Sequence, residues 1–170
     1  MQTFDDCELG ETDKTINLEL REENRLAVTR IAQQGYSSIE IISRELDPDL
    51  FDNSEFIDAV KTMILNNRRA QLRILVFNPK KIVSKGHRLL DLAGTMTSNI
   101  EIRVPSYEHK DFNEMVFITD STAYLHRIYP GRFEATVNFN DKRMSRHYQK
   151  QFNEMWEKAS QDSNLRRMAI

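Results

Sequence analysis

Between Gln71 and Asn78 the chain reads QLRILVFN, and Pro79 stops the run. Its centre, Ile74 to Phe77, is apolar at every position. Successive side chains of a strand point to opposite faces, so this run puts apolar groups on both. Such a strand must be covered above and below, which makes it a central strand of a sheet with helices on each side.

The flanking segments supply those helices. Arg21 to Gln34 carries Leu26, Ala27 and Ile31 at helical spacing and ends at Gly35, read as a stop because glycine tolerates positive φ. SSIEIIS, with Ile39 and Ile41 between polar neighbours, reads as a strand. LDPDLFDN has the composition of a loop, and Ser54 is expected to cap a helix reaching about Asn67. A basic helix is expected from Lys80 to Thr95, then a strand from Ile100 to Val104. Three strands follow, Met115 to Thr119, Ala123 to Tyr129 and Phe133 to Phe139, with Asp120-Ser121 as a tight turn. The last helix runs from about Asp141 to Ala159, anchored by Phe152, Met155 and Trp156. Helices alternating with strands, then clustered strands, predict a three-layer αβα domain with a mixed sheet. The chain's 170 residues suit one such domain at 17–160. An acidic flexible tail is expected at 1–16 and a polar tail at 161–170.

Net charge is −2, but the charges are segregated. Residues 1–60 hold five Lys/Arg against fifteen Asp/Glu; residues 61–90 hold eight Lys/Arg and no acid. A basic block attracts phosphate-bearing partners. Cys7 is the single cysteine, so no internal disulfide forms, and no apolar run approaches the roughly 20 residues of a membrane span. The acidic N-terminus has no signal-peptide pattern, so a cytoplasmic location is expected.

Several strings in order, IEIRVP, MVFITDSTAYL, FEATVNF and QFNEMW, resemble one half of the phospholipase D-like superfamily over roughly residues 22–160. NRRAQLRILV and GHRLLDLA are similar to a bacterial family of unknown function within it. The resemblance implies one H-x-K-x4-D motif per half: a His nucleophile, a Lys that stabilises phosphoryl charge and an Asp that orients the His. It also implies pairing of single-half members, hence a homodimer. Aligned on ITD, the motif's Asp falls on Asp120, its Lys on Met115 and its His on Asn113. Asn cannot be this nucleophile and Met carries no charge, so the motif is degenerate. Asn138 lies near the superfamily's downstream Asn.

A non-catalytic domain binding a nucleic acid, a nucleotide or a protein partner is therefore expected. The ligand-binding candidates are Arg68, Arg69, Arg73, His87, Arg88, Arg127 and Arg132, since the guanidinium fork suits phosphate oxygens. Against this, the basic block can simply neutralise the acidic first third, and His87 can be satisfied by a helix end. The alternative is a phosphodiesterase with a relocated site using His109, Lys110, His87 and Asp120. Arg127 with Glu134 is a candidate buried ion pair. Asp47 and Asp49 read as loop or cap residues; no metal, cofactor or Gly-rich phosphate loop is expected.

Overall fold

The computed structural model describes residues 1–129, 131–163 and 165. Seven strands form one mixed sheet: β1 (Ile16–Leu18), β2 (Ser38–Ile42), β3 (Gln71–Leu75), β4 (Ile100–Arg103), β5 (Met115–Thr119), β6 (Ala123–Arg127) and β7 (Ala135–Asn138). Their spatial order is β1-β7-β6-β5-β2-β3-β4. β2, β3 and β4 are parallel, with β3 between the other two. β5 runs antiparallel to β2, and β6, β7 and β1 continue antiparallel. The helices are α1 (Arg21–Gln34), α2 (Pro48–Phe51), α3 (Ser54–Asn66), α4 (Pro79–Lys85), α5 (Arg88–Thr95) and α6 (Lys142–Lys158).

Strand alternation divides the core. Ile39, Ile41, Leu72, Ile74, Phe117, Leu125 and Val137 point into a cluster shared with residues of α1, α3 and α5. Ile42, Leu75, Val116, Ile118 and Tyr124 point the other way and are covered by Tyr148, Phe152, Met155 and Trp156 of α6. One helix thus covers a face that several helices cover on the other side, and the three-layer α/β architecture holds. No described helix is long and apolar enough to cross a membrane.

Several expectations change. The segment 1–16 does not hang free. Phe4 is buried and stacks on Phe139 at 6.0 Å between ring centroids, and Cys7 is buried beside it. Arg30 donates to the Phe4 and Asp5 carbonyls, and Gln34 donates to Cys7 O while accepting from Leu9 N–H. Long polar side chains of α1 satisfy the arm's backbone, and the arm leads into β1, which had no sequence signal. Most of the expected tail at 161–170 lies outside the described residues.

Gly35 ends α1 with an ordinary φ of −64° rather than a positive one. Its requirement is space: a Cβ there would stand 2.9 Å from Thr119 Cγ2 and 3.2 Å from Met63 Sδ. The expected helix over 80–95 is two helices, because Gly86 takes φ 76° and the chain restarts at His87. Within LDPDLFDN, Asp47 caps the single turn of α2, accepting from Asp49 N–H. Asn53, one residue before Ser54, caps α3. Asp120 and Ser121 lie in the expected β5–β6 turn, both at positive φ (55° and 52°), and because Thr119 pairs with Ala123 the connection spans Asp120 to Thr122.

Candidate functional site

A cleft of about 470 Å³ opens where β2 and β3 end and β5 begins. Ser43, Arg44 and Asp47 line it from the chain following β2; Phe77 and Asn78 line it from the chain following β3. Asn113, Glu114 and Met115 form the opposite wall, with Arg127, Tyr129 and Gly131 from the end of β6 and the loop after it. Open α/β sheets commonly place ligand sites beyond the carboxyl ends of parallel strands.

Asn113 and Met115, the positions onto which the resemblance aligns the motif's His and Lys, both line the cleft. Met115 is register partner to Arg127, and odd positions of β5 and β6 share one face. The cleft therefore offers a carboxamide and a thioether at these two positions. No His lines it among the described residues.

Arg127 is 8% exposed and fully engaged at both terminal nitrogens. Nη1 donates to Asp47 Oδ2 at 2.9 Å and Nη2 to Asn24 Oδ1 at 3.2 Å. Asn24, itself buried, donates to the carbonyls of Leu20 and Phe133. The expected partner Glu134 is exposed, and the pair forms with Asp47 instead. The reason is direction: Arg127 points toward α1 and α2, where Asp47 heads the short helix.

Arg44 is the cation that sequence reasoning missed. Its Nη1 donates to Lys110 O at 3.1 Å and to Phe112 O, and the guanidinium lies 4.3 Å over the Phe77 ring. No described carboxylate comes within ion-pair distance of it. The group is thus held by carbonyls and a ring rather than by an ion pair, with the Glu45 carboxylate, in the same lining, as its electrostatic neighbour. Glu114, also in the wall, accepts from His126 Nε2, and Tyr148 Oη meets His126 Nδ1 at 3.1 Å.

The remaining candidates are dispersed. Arg68 and Arg69 follow α3, at the opposite end of the sheet. Arg73 lies under α6, donating to Asn153 Oδ1 and resting 4.9 Å over Phe152. His87 is buried; Nδ1 accepts from Leu89 N–H at 3.1 Å and Nε2 meets Leu46 O at 2.9 Å. Burial holds its pKa below the ordinary value, against the pull of the Leu46 carbonyl. A neutral histidine with both nitrogens occupied is a helix cap and does not serve as nucleophile. Arg88 is bound to Asp52 through both backbone and side chain. Arg132 is exposed and stacks 5.3 Å over Tyr129 at the cleft rim.

His109 and Lys110 sit in the turn Tyr107–His109 and just after it, and neither lines the cleft. His109 Nδ1 is 3.4 Å from Ser106 Oγ, and Lys110 Nζ donates to Tyr107 Oη. Asp120 occupies the far end of β5, roughly 16 Å from Met115 at about 3.3 Å per residue. Its carboxylate accepts from the backbone N–H groups of Tyr36, Ser37 and Ser38, which fixes the α1–β2 connection rather than orienting any cleft residue. Asn138 is buried at that same end, donating to Asp13 and Thr15. Among the described residues no group of three or more His, Cys, Asp or Glu is placed to hold a metal.

The fold is similar to that of TrmBL2, an archaeal chromatin protein whose structure shows a novel mode of DNA binding, at 18% identity and TM-score 0.65. That match covers 87% of this chain and 53% of TrmBL2, so the chain spans about half of TrmBL2's length. It is also similar to Nuc, a phospholipase D family member from Salmonella typhimurium, at 13% identity and TM-score 0.59, covering 86% of this chain and 96% of Nuc. NucT from Helicobacter pylori matches at 13% identity and TM-score 0.59, covering 88% and 99%. These likenesses show the fold alone, a mixed-sheet α/β fold shared with a phospholipase D family member. No curated protein matches significantly. The model of one family matches residues 20–168, and the chain belongs to that family, described as a domain of unknown function (DUF7931).

Proposed function

We propose that this domain is a binding module on a phospholipase D fold, taking a phosphate-bearing ligand, nucleic acid or nucleotide, in the cleft without hydrolysing it. The observation that carries this reading is Arg44. Its guanidinium is fixed by the Lys110 and Phe112 carbonyls and the Phe77 ring, stands beside Asn113 and has no ion-pair partner among the described carboxylates. A planar guanidinium held in place presents its free edge to phosphate oxygens at little entropic cost. Asn113 and Met115 supply neither nucleophile nor charge for phosphodiester cleavage. The DNA binding of TrmBL2, on a similar fold, supports a nucleic-acid ligand.

The test pairs a phosphodiesterase assay on bis(p-nitrophenyl) phosphate and oligonucleotides with binding of mononucleotides and short single strands across salt. No turnover is expected, with binding that strengthens as salt falls and weakens about tenfold in Arg44→Ala. Turnover, or no binding at low salt, overturns the reading. Exposed Ile128 and Tyr129 near the cleft also support a homodimer in which two clefts face each other. A solution mass of one chain, 20.0 kDa, by light scattering excludes a stable one.

A further inference from the structure

The last eighty residues balance eleven Lys/Arg against eleven Asp/Glu, which conceals a local excess. The first nine residues of α6 carry Lys142, Arg143, Arg146 and Lys150, with His147 among them, and no acid occurs from 142 to 153. All five side chains are exposed. The buried residues of the helix, Ser145, Tyr148, Phe152, Met155 and Trp156, occupy the other side against the sheet. None of the four Lys/Arg comes within ion-pair distance of a described carboxylate.

Folding gains nothing from this arrangement. Lys142 and Arg143 stand in the first turn, where the helix dipole disfavours cations, and the one acid at that end, the N-cap Asp141, is engaged by Met144 N–H and forms no ion pair with them. Lys142, Arg146 and Lys150 follow at i, i+4 and i+8, a spacing at which like charges destabilise a helix. Arg146 and Lys150 lie about 6 and 12 Å along the axis from Lys142. The outcome is a straight polar stripe of uncompensated positive charge on the face of the molecule that a single helix covers.

We infer that this outer face of α6 docks the phosphate backbone of duplex nucleic acid, at a surface separate from the cleft. A duplex presents one negative charge per about 1.7 Å of its axis, so a 12 Å stripe meets several phosphates at once. A lipid surface fits less well. Interfacial helices place apolar side chains toward the membrane, and the apolar residues of this stretch face the sheet. The contact reads charge and spacing and carries no base specificity, because phosphate contacts hold no sequence information.

The test is fluorescence anisotropy of the full chain with a 20–30 base-pair duplex across salt, beside vesicles containing phosphatidylserine. The triple variant Arg143→Gln, Arg146→Gln, Lys150→Gln is expected to bind the duplex at least tenfold more weakly at low salt. Its log–log salt slope should be shallower by about 2–3, since each neutralised phosphate is worth about 0.9. Circular dichroism should be unchanged, and mononucleotide binding in the cleft should persist, which separates this surface from the cleft reading. A control variant, Lys61→Gln, Lys80→Gln, Lys85→Gln, removes three exposed cations elsewhere and should retain duplex affinity within about twofold. Wild-type-like duplex binding by the α6 variant, equal loss in the control, no duplex binding at low salt, or an α6 effect on vesicles alone each overturns the inference.

Discussion

Arg127 at the end of β6 and Asp47 at the head of α2, eighty residues apart in sequence, meet at 2.9 Å in the floor of the cleft. Their side chains are 9% and 19% exposed. A pair this dry survives only because its desolvation is answered by further hydrogen bonds, here from Arg127 Nη2 to Asn24 Oδ1 and from Asp49 N–H to Asp47. The contact ties β6 to α2 and, through Asn24, to α1, so one guanidinium sets the cleft's shape.

Removing one partner strands the other. Arg127→Met should cost about 3–5 kcal/mol in urea denaturation, because Asp47 and Asn24 both lose a buried donor. Adding Asp47→Asn to that variant should recover part of the loss. A double-mutant cycle with no coupling between the two positions would show that the pair does not organise the floor.

Glu40 gives a pH signature from the opposite face. It is 1% exposed beneath α6, accepts from Gln149 Nε2 at 2.7 Å and has no partner at Oε2 among the described residues. Burial pushes its pKa above the ordinary 4.5, only partly offset by the Gln149 hydrogen bond and the charge of Arg73. The folded protein therefore holds a proton that the unfolded chain releases, and stability falls as pH rises from 4.5 through the folded value. Glu40→Gln removes this loss. Its stability relative to wild type should grow as pH rises through that window, measured from urea midpoints at several pH values; a difference that does not change with pH refutes the assignment.

His87 has the opposite sign of dependence. Burial lowers its pKa beneath 6.5, so the unfolded chain takes up the proton first as pH falls. The contribution is complete above 6.5 and is lost as pH drops toward the folded value. His87→Ala should cost about 1–2 kcal/mol at pH 8, the worth of a lost helix cap. His87→Asn keeps a capping acceptor and should weaken the acid sensitivity, which equilibrium unfolding between pH 5 and 8 would reveal.

The parts that were legible share one property: their signals are local. Ile74 to Phe77 announces a central strand, Arg21 to Gln34 a helix, and Asp120-Ser121 a turn, each from a handful of adjacent residues. The same holds for Asn113 and Met115, which lie in one short string and line one wall of the cleft. The site's other groups lie far apart along the chain. Asn24, Arg44, Asp47 and Arg127 come together only after the sheet has ordered, and no spacing rule links them. His87 was visible as a cationic candidate because it follows a basic run. It is instead a neutral cap, since the break at Gly86 turns the helix and places the ring under Leu46. Charge counted over long blocks also hid the α6 stripe, which acids elsewhere in the same eighty residues cancel.

The N-terminal arm shows the same limit most sharply, and it can be tested directly. Phe4 stands alone among acidic residues, so neither periodicity nor composition marks it as core. In the folded chain it is 3% exposed, stacked on Phe139, with its carbonyl bound by Arg30. Truncating a buried phenylalanine removes its transfer free energy and leaves a cavity that the packed arm and α1 cannot fully close. Phe4→Ala should therefore lower stability by about 3–5 kcal/mol, and amides of β1 should lose hydrogen-exchange protection with it, because β1 reaches the sheet through this arm. Substitution in a free surface tail would shift the unfolding midpoint by no more than about 0.5 kcal/mol. A Phe4→Ala midpoint within that margin would return residues 1–16 to the status of a tail.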